Sequence, residues 1–241
     1  LFTSADPYAG TDVALLSPGQ NGHLMGTDAV GRDLFSRVVY GARQSLLGAV
    51  IAVAVGLVLG TLIGLIAGTQ RGWVDTVLMR LVDVLLAIPG ILLSLSIIIV
   101  TGFGSLQAAF AVGMTSVATF ARLARSQVIQ IANADFVEAA YGSGATQAQV
   151  LFRHVLPNSL TPVLALAALQ FGTAILQLSI LGFLGYGAPP PTPEWGLLIA
   201  EGRDFMATAW WLILLPGLAI VATVMSANHL SQVIQQEGDA K

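Results

Sequence analysis

The side chains able to do chemistry in this chain are few and far apart. Its 241 residues include no cysteine, three histidines and one lysine. Lacking cysteine, it has no disulfides and no thiolate metal site. His23, His154 and His229 fall in different segments, and none has a second ligand at helical spacing, so a metal site (nickel included) is not indicated. The lysine is Lys241, at the very end, whereas a P-loop needs Gly-Lys-Ser/Thr ahead of a helix; ATP is not held here in that way. What remains is amide and carboxylate chemistry in two places. Gln170 and Gln177, with Ser179 close by, lie inside an apolar run. The glutamines are seven apart and share one helix face, and amides turned to lipid are costly. They are therefore either glue between helices, the slightly preferred reading, or pore lining.

The second place is Asp135 to Asn158, the longest polar interruption between apolar runs. Phe136, Val137, Ala140, Gly144, Ala148, Leu151 and Phe152 recur at three- and four-residue intervals, so one stripe of a helix faces a partner. Asp135 is positioned to cap the start, and Glu138 sits in the first turn, where a carboxylate favours the positive helix end. Gly142 and Gly144 allow a bend, and Pro157 is expected to stop the second piece. A bent helix pair between two spans is well placed to be pushed from outside the membrane.

The surrounding elements are membrane helices. The composition is 55% hydrophobic and only 10% charged, with mean hydropathy +0.80, whereas soluble domains carry about 25% charged residues. A net charge of −3 argues against a nucleic-acid partner. Residues 1–45 are loop-like until Asp33. From there Leu34, Phe35, Val38, Val39, Ala42 and Leu46 form a stripe, with Arg32, Arg37 and Arg43 off it, an amphipathic helix lying on the membrane or leading into it. Thr27 or Asp28 ends a turn and Asp33 starts the helix in the simplest reading. Five apolar spans follow in the remaining segment, 46–241: Leu46–Gly68, Met79–Thr101, Leu106–Ala121 (its helix continuing through Arg122 and Arg125), Ser159–Gly185 and Trp210–Leu230. Gly48, Ala52, Gly56, Gly60, Gly64 and Gly68 put a small residue at every fourth position of the first, a packing stripe. Pro89-Gly90 and Pro216-Gly217 are expected to kink their spans. Asp83, one turn after Arg80 near an end, reads as a local pair or a snorkelling group. Gly185–Trp195 is a stiff proline-rich turn.

Several of these stretches resemble one family. Glu138-Ala139-Ala140, Gly144 and Leu156-Pro157 resemble the EAA loop of bacterial ABC-importer permeases. His154 stands where the general pattern has isoleucine, and Arg153 to Asn158 is similar to the version in the peptide and nickel branch. Gly26-Thr27-Asp28, Gly31-Arg32-Asp33, Ser36-Arg37, Tyr40-Gly41 and Arg43 resemble the signature of peptide-importer permeases, as do Arg80, Asp83 and Pro89, and Phe183 to Gly185 with Gly187, Pro190-Pro191, Pro193 and Trp195-Gly196.

The resemblance implies an all-α integral membrane protein with the type I ABC-importer permease fold, five helices visible here of an expected six, the first removed with the true amino terminus. It implies that the chain is not an enzyme by itself and pairs with a related permease subunit. Two cytoplasmic ATPase subunits bind ATP and Mg, and an extracytoplasmic solute-binding protein delivers peptides, or nickel or another small solute. The coupling residues would be Phe136, Glu138, Ala139, Ala140, Gly144, Ala145, Leu156 and Pro157, within a cytoplasmic loop at 122–158. Residues 1–45 would lie outside the bacterial inner membrane and the C-terminus inside it. Positive charge agrees weakly, with six Lys and Arg inside against four outside. The alternatives are a self-contained channel or secondary transporter, disfavoured because no repeat relates the halves and, Asp83 aside, the spans lack acidic groups, and a purely scaffolding subunit.

Overall fold

Small residues at every fourth position decide how the helices meet. The computed structural model describes residues 5–10 and 13–239. Helix α1, Leu34–Gln70, starts at Asp33, whose carboxylate accepts the Ser36 N–H at 2.7 Å. At 1.5 Å per residue its 37 residues extend about 55 Å, well past a hydrocarbon core of about 30 Å. The amphipathic stretch and the first span are thus one rod, and the boundary expected at residue 45 falls inside it. From Gly56 to Gly68 its glycine stripe is buried against α4, Ser105–Ala132. A Cβ on Gly60 would stand 2.5 Å from the Val117 carbonyl oxygen and from the Phe120 Cβ, and one on Gly64 2.5 Å from the Ala121 carbonyl oxygen. Only glycine lets these backbones approach so closely.

The second span is broken rather than kinked. Helices α2, Gly72–Ala87, and α3, Gly90–Thr101, meet at 97° across Ile88 and Pro89. Pro89 has no N–H to continue the ladder and forces Ile88 into extended backbone. Four other helices are long and apolar enough to cross a membrane, and the broken pair makes a fifth when counted as one span. Asp83 does not pair with Arg80. It accepts from Arg122 of α4 at 2.7 Å, because α4 runs alongside α2 and brings that guanidinium within reach. Further along α4, Arg125 Nη2 donates to Asp75 at 2.6 Å.

After α4 come α5, Asp135–Gly142, and α6, Gln147–Val150, and then a π turn, Leu151–Val155, that runs without interruption into α7, Leu156–Phe183. Pro157 therefore does not stop the helix. The widened turn ahead of it relieves the clash and the missing N–H that a proline brings to an α-helix. An irregular loop with a cis Pro190–Pro191 bond leads to α8, Trp195–Gly202, packed mainly against α7 and the last helix and more lightly against α1. Trp195 Nε1 donates to the Val38 carbonyl at 2.9 Å and its N–H to Ser45 Oγ at 3.2 Å. Helix α9, Trp211–Asp239, carries Pro216 without interruption and packs on α7, where Ser231 Oγ donates to the Ala165 carbonyl at 2.8 Å. Two isolated bridges, Gly10 with Arg32 and Thr27 with Asp33, are the only extended pairing among the described residues. The main apolar core lies where α1, α4, α7, α8 and α9 converge, and a small separate cluster sits beneath α5.

Candidate functional site

The polar segment between α4 and α7 folds as a lever with one face anchored. Its first residue is not the cap: Ala134 occupies the N-cap position with no side-chain bond, and Asp135 sits in the first turn with Glu138. Val137 is buried against Val128, Val150 and Val155, and Ala140, Ala145 and Leu151 pack partly around them. The expected apolar stripe is thereby split, since Phe136 and Phe152 remain exposed while Val137 turns inward. Gly144 has φ +90°, a left-handed conformation that L side chains rarely adopt, and there the chain reverses from α5 to α6. Thr146 and Gln149 close the next helix start with a reciprocal capping box at 2.9 and 3.3 Å.

Between the two pieces opens a groove of about 800 Å³ lined by Phe136, Ala139, Ala140, Ser143, Ala145, Gln149 and the Phe152–His154 turn. The Phe136 and His154 rings lie 6.3 Å apart across it. Glu138 and Arg153 are exposed, and neither makes an ion pair among the described residues. Of the expected coupling residues, Phe136, Ala139, Ala140 and Ala145 line this groove. Glu138 lies on the outer face of α5, Gly144 makes the turn, and Leu156 and Pro157 belong to the root of α7.

A second cavity, of about 330 Å³, lies where the α2–α3 break meets the middles of α1, α4 and α7. Gln170 and Gln177 both line it, and so do Thr115, Ser116, Thr119 and Thr173, whose hydroxyls carried no sequence signal. The Thr115 hydroxyl donates to the Val112 carbonyl at 2.7 Å and lies 3.4 Å from Gln177 Oε1, a long contact between α4 and α7. Ser179 is not on this cavity: its hydroxyl bonds back to the Ile175 carbonyl at 2.7 Å, and Gly196 packs on its backbone.

The family described as binding-protein-dependent transport system inner membrane component matches residues 60–237. The chain belongs to this family. Among the permeases it resembles is the dipeptide transport system permease protein DppC of Alkalihalophilus pseudofirmus, 41% identical over 242 residues that cover all of this chain and 79% of that one. The glutathione transport system permease protein GsiD of Shigella flexneri is 43% identical over 219 residues, 91% of this chain and 72% of that one. In three dimensions the fold is similar to a chain of the inward-facing MetNI methionine ABC transporter, with TM-score 0.70 and 18% identity over 85% of this chain and 97% of that one. The fold is thus that of the type I ABC-importer permeases, and the chain is a multi-pass inner-membrane permease.

At the opposite end of this permease from α5 lies a charge network that the sequence did not disclose. Arg37 is fully buried; its Nη1 donates to Asp28 at 2.6 Å and to Glu201 at 2.7 Å. Arg32 Nε donates to the same Asp28 oxygen at 2.7 Å, and its Nη2 reaches Glu201 at 3.3 Å. Burial by itself raises the Asp28 pKa, but the Arg32 and Val30 N–H groups and the Arg32 guanidinium reverse this and hold it below the usual carboxylate range. Glu194, before α8, is pushed upward by burial, partly offset by the Ala188 N–H donating at 2.7 Å. In the sequence Asp28 reads as a turn residue and Arg32 and Arg37 as charges off an apolar stripe, besides being matched positions. Glu201 is 164 residues from Arg37, and no local pattern announces such a pair.

Proposed function

We propose that this permease forms half of the translocation path of an ATP-driven importer for di- and oligopeptides. A related permease subunit supplies the other half. Of the two cytoplasmic ATPase subunits, which hold the ATP and Mg, one takes up α5 of this chain, and the solute-binding protein delivers cargo at the Asp28–Glu201 end. Residues 1–45 then face outward and the C-terminus lies in the cytoplasm, with the remainder in the bilayer. The chain contributes motion rather than catalysis. The observation that carries this reading is the exposed, unpaired α5 lever rooted in both α4 and α7. Peptide cargo is supported by the dipeptide and glutathione transport that the similar permeases are named for.

In this scheme closure of the ATPase pair displaces α5. Because Val137 locks α5 onto Val128 of α4 and Val155 at the root of α7, the displacement passes to the helices lining the central cavity. One rigid-body equilibrium is biased from two sites, as coupling requires. Glu138→Lys reverses the charge on the outer face of α5, and Gly144→Val opposes the φ of +90° that sets the turn. With the complete importer in vesicles, either variant is expected to insert normally and to lose peptide uptake about tenfold or more per ATP hydrolysed. Glu138 lies near a basic residue of the ATPase in this scheme, and like charges brought together at an interface cost several kcal/mol, while valine at residue 144 distorts the turn that presents α5. Uptake per ATP equal to that of the unmodified importer refutes the proposed lever.

A further inference from the structure

The central cavity carries more than a path. Six polar side chains converge there from two helices, Thr115 and Thr119 from α4 and Gln170, Thr173 and Gln177 from α7, with Ser116 beside them. No charged residue lines it. Its volume of about 330 Å³ is within the range of small-ligand sites, roughly 300–1,000 Å³. Three of the hydroxyls are committed to their own helices: Thr115 to the Val112 carbonyl, Ser116 to that of Gly113 and Thr173 to that of Leu169. The amides are not. Among the described residues Gln170 makes no hydrogen bond to protein, and Gln177 makes only the long contact with Thr115, leaving its Nε2 donors open beside Gly90. Uncommitted carboxamides at the middle of membrane helices need partners.

Resting on the reading of the chain as a peptide importer, we propose that Gln170 and Gln177 form a subsite that holds the peptide bond of the cargo. A carboxamide offers one acceptor and two donors, which matches the N–H and C=O of a peptide unit in a reciprocal pair. A cavity without charge stabilises neither a free carboxylate nor an ammonium group, so it takes the main chain between the termini. Such a site also leaves side-chain identity unread, since every peptide offers the same bond. The break at Pro89 keeps one wall of the cavity free of a continuous helix, which opens it to an extended ligand.

The test compares uptake of alanyl-alanine with that of alanyl-lactate, whose ester replaces the peptide N–H by oxygen. The complete importer and its binding protein are reconstituted in vesicles. Because the same binding protein serves every assembly, any change in the amide-to-ester ratio belongs to the permease. Replacing both glutamines by methionine, Gln170→Met with Gln177→Met, is expected to lower that ratio about tenfold, the equivalent of one or two lost hydrogen bonds. Thr115→Val, a milder change that removes the hydroxyl touching Gln177, is expected to lower it about threefold and stands if the double variant does not assemble. A ratio unchanged in both overturns the subsite while leaving peptide import intact. An unmodified importer that takes up neither compound nor any other peptide overturns the subsite together with the cargo reading.

Discussion

Gly60→Leu is expected to abolish accumulation of folded permease. The Gly60 Cα faces α4 so closely that even a Cβ would lie 2.5 Å from two heavy atoms, one of them a backbone carbonyl oxygen that cannot move without moving the helix. Gly56 and Gly64 are as tightly placed on either side, so the seam cannot open locally at one site. In lipid no hydrophobic drive between helices compensates, and close dispersion contact holds the pair. Gly60→Ala alone is expected to cost about 1–3 kcal/mol as overpacking, and leucine exceeds that. At Gly217, by contrast, an added Cβ would meet nothing within 4 Å and the backbone is not left-handed, so Gly217→Ala is expected to be silent. Monodispersity in detergent and the melting temperature separate the cases. A Gly60→Leu protein that is monodisperse and melts with the unmodified chain would show that the α1–α4 seam is misplaced.

Arg37→Met has the second largest expected effect. It removes the cation shared by Asp28 and Glu201 and leaves two carboxylates approaching each other, with Arg32 alone to neutralise them. Breaking a buried ion pair from one side costs about 3–5 kcal/mol, because the remaining charge is stranded. The network ties the loop before α1, α1 itself and the end of α8 into one unit, so its loss is expected to free that end of the molecule. Its pH dependence has a definite sign. The folded-state pKa of Asp28 is lowered, so its contribution to stability is present above the unfolded value near 3.9 and is lost as pH falls through the lower folded value. Arg37→Met takes one cation from Asp28, so the deficit in melting temperature is expected to hold from pH 7.5 to pH 5 and to narrow only as pH falls below about 4, where that carboxylate takes up a proton. Adding Glu201→Gln to Arg37→Met is expected to recover part of the loss. A deficit that does not narrow below about pH 4, or no deficit, contradicts the network.

Periodicity and packing signals are strong in this sequence, and they reach furthest into the fold. The glycine stripe of α1 marks a helix–helix seam because only close approach requires a small residue at every fourth position. Asp33 as the start of α1 and the continuation of α4 past Arg125 are legible for the same local reasons. Proline is harder to read, since its effect depends on the turn before it. Pro89 breaks its span by 97°, whereas Pro157, preceded by a π turn, and Pro216 lie within uninterrupted helices. Sequence proximity assigns Asp83 the wrong partner, because Arg80 is near in the chain while Arg122 is near in space. Within the lever, spacing marks Val137 and Phe136 as one stripe, yet tertiary packing turns Val137 inward and leaves Phe136 outside. The threonines of the central cavity and Glu201 are illegible, since their roles arise only when helices distant in the chain converge.

The central claim is that force reaches the membrane helices through α5. The chain contains no cysteine, so Ala139→Cys, on the groove face of α5, introduces a single thiol. In the assembled importer a short bifunctional thiol reagent is expected to join that position to an ATPase subunit carrying its own single cysteine, with a yield that changes when ATP is bound. In intact cells the same thiol is expected to resist a membrane-impermeant maleimide. Labelling of Ala139→Cys from outside the cell, or no joining to the ATPase at any nucleotide state, would contradict the lever.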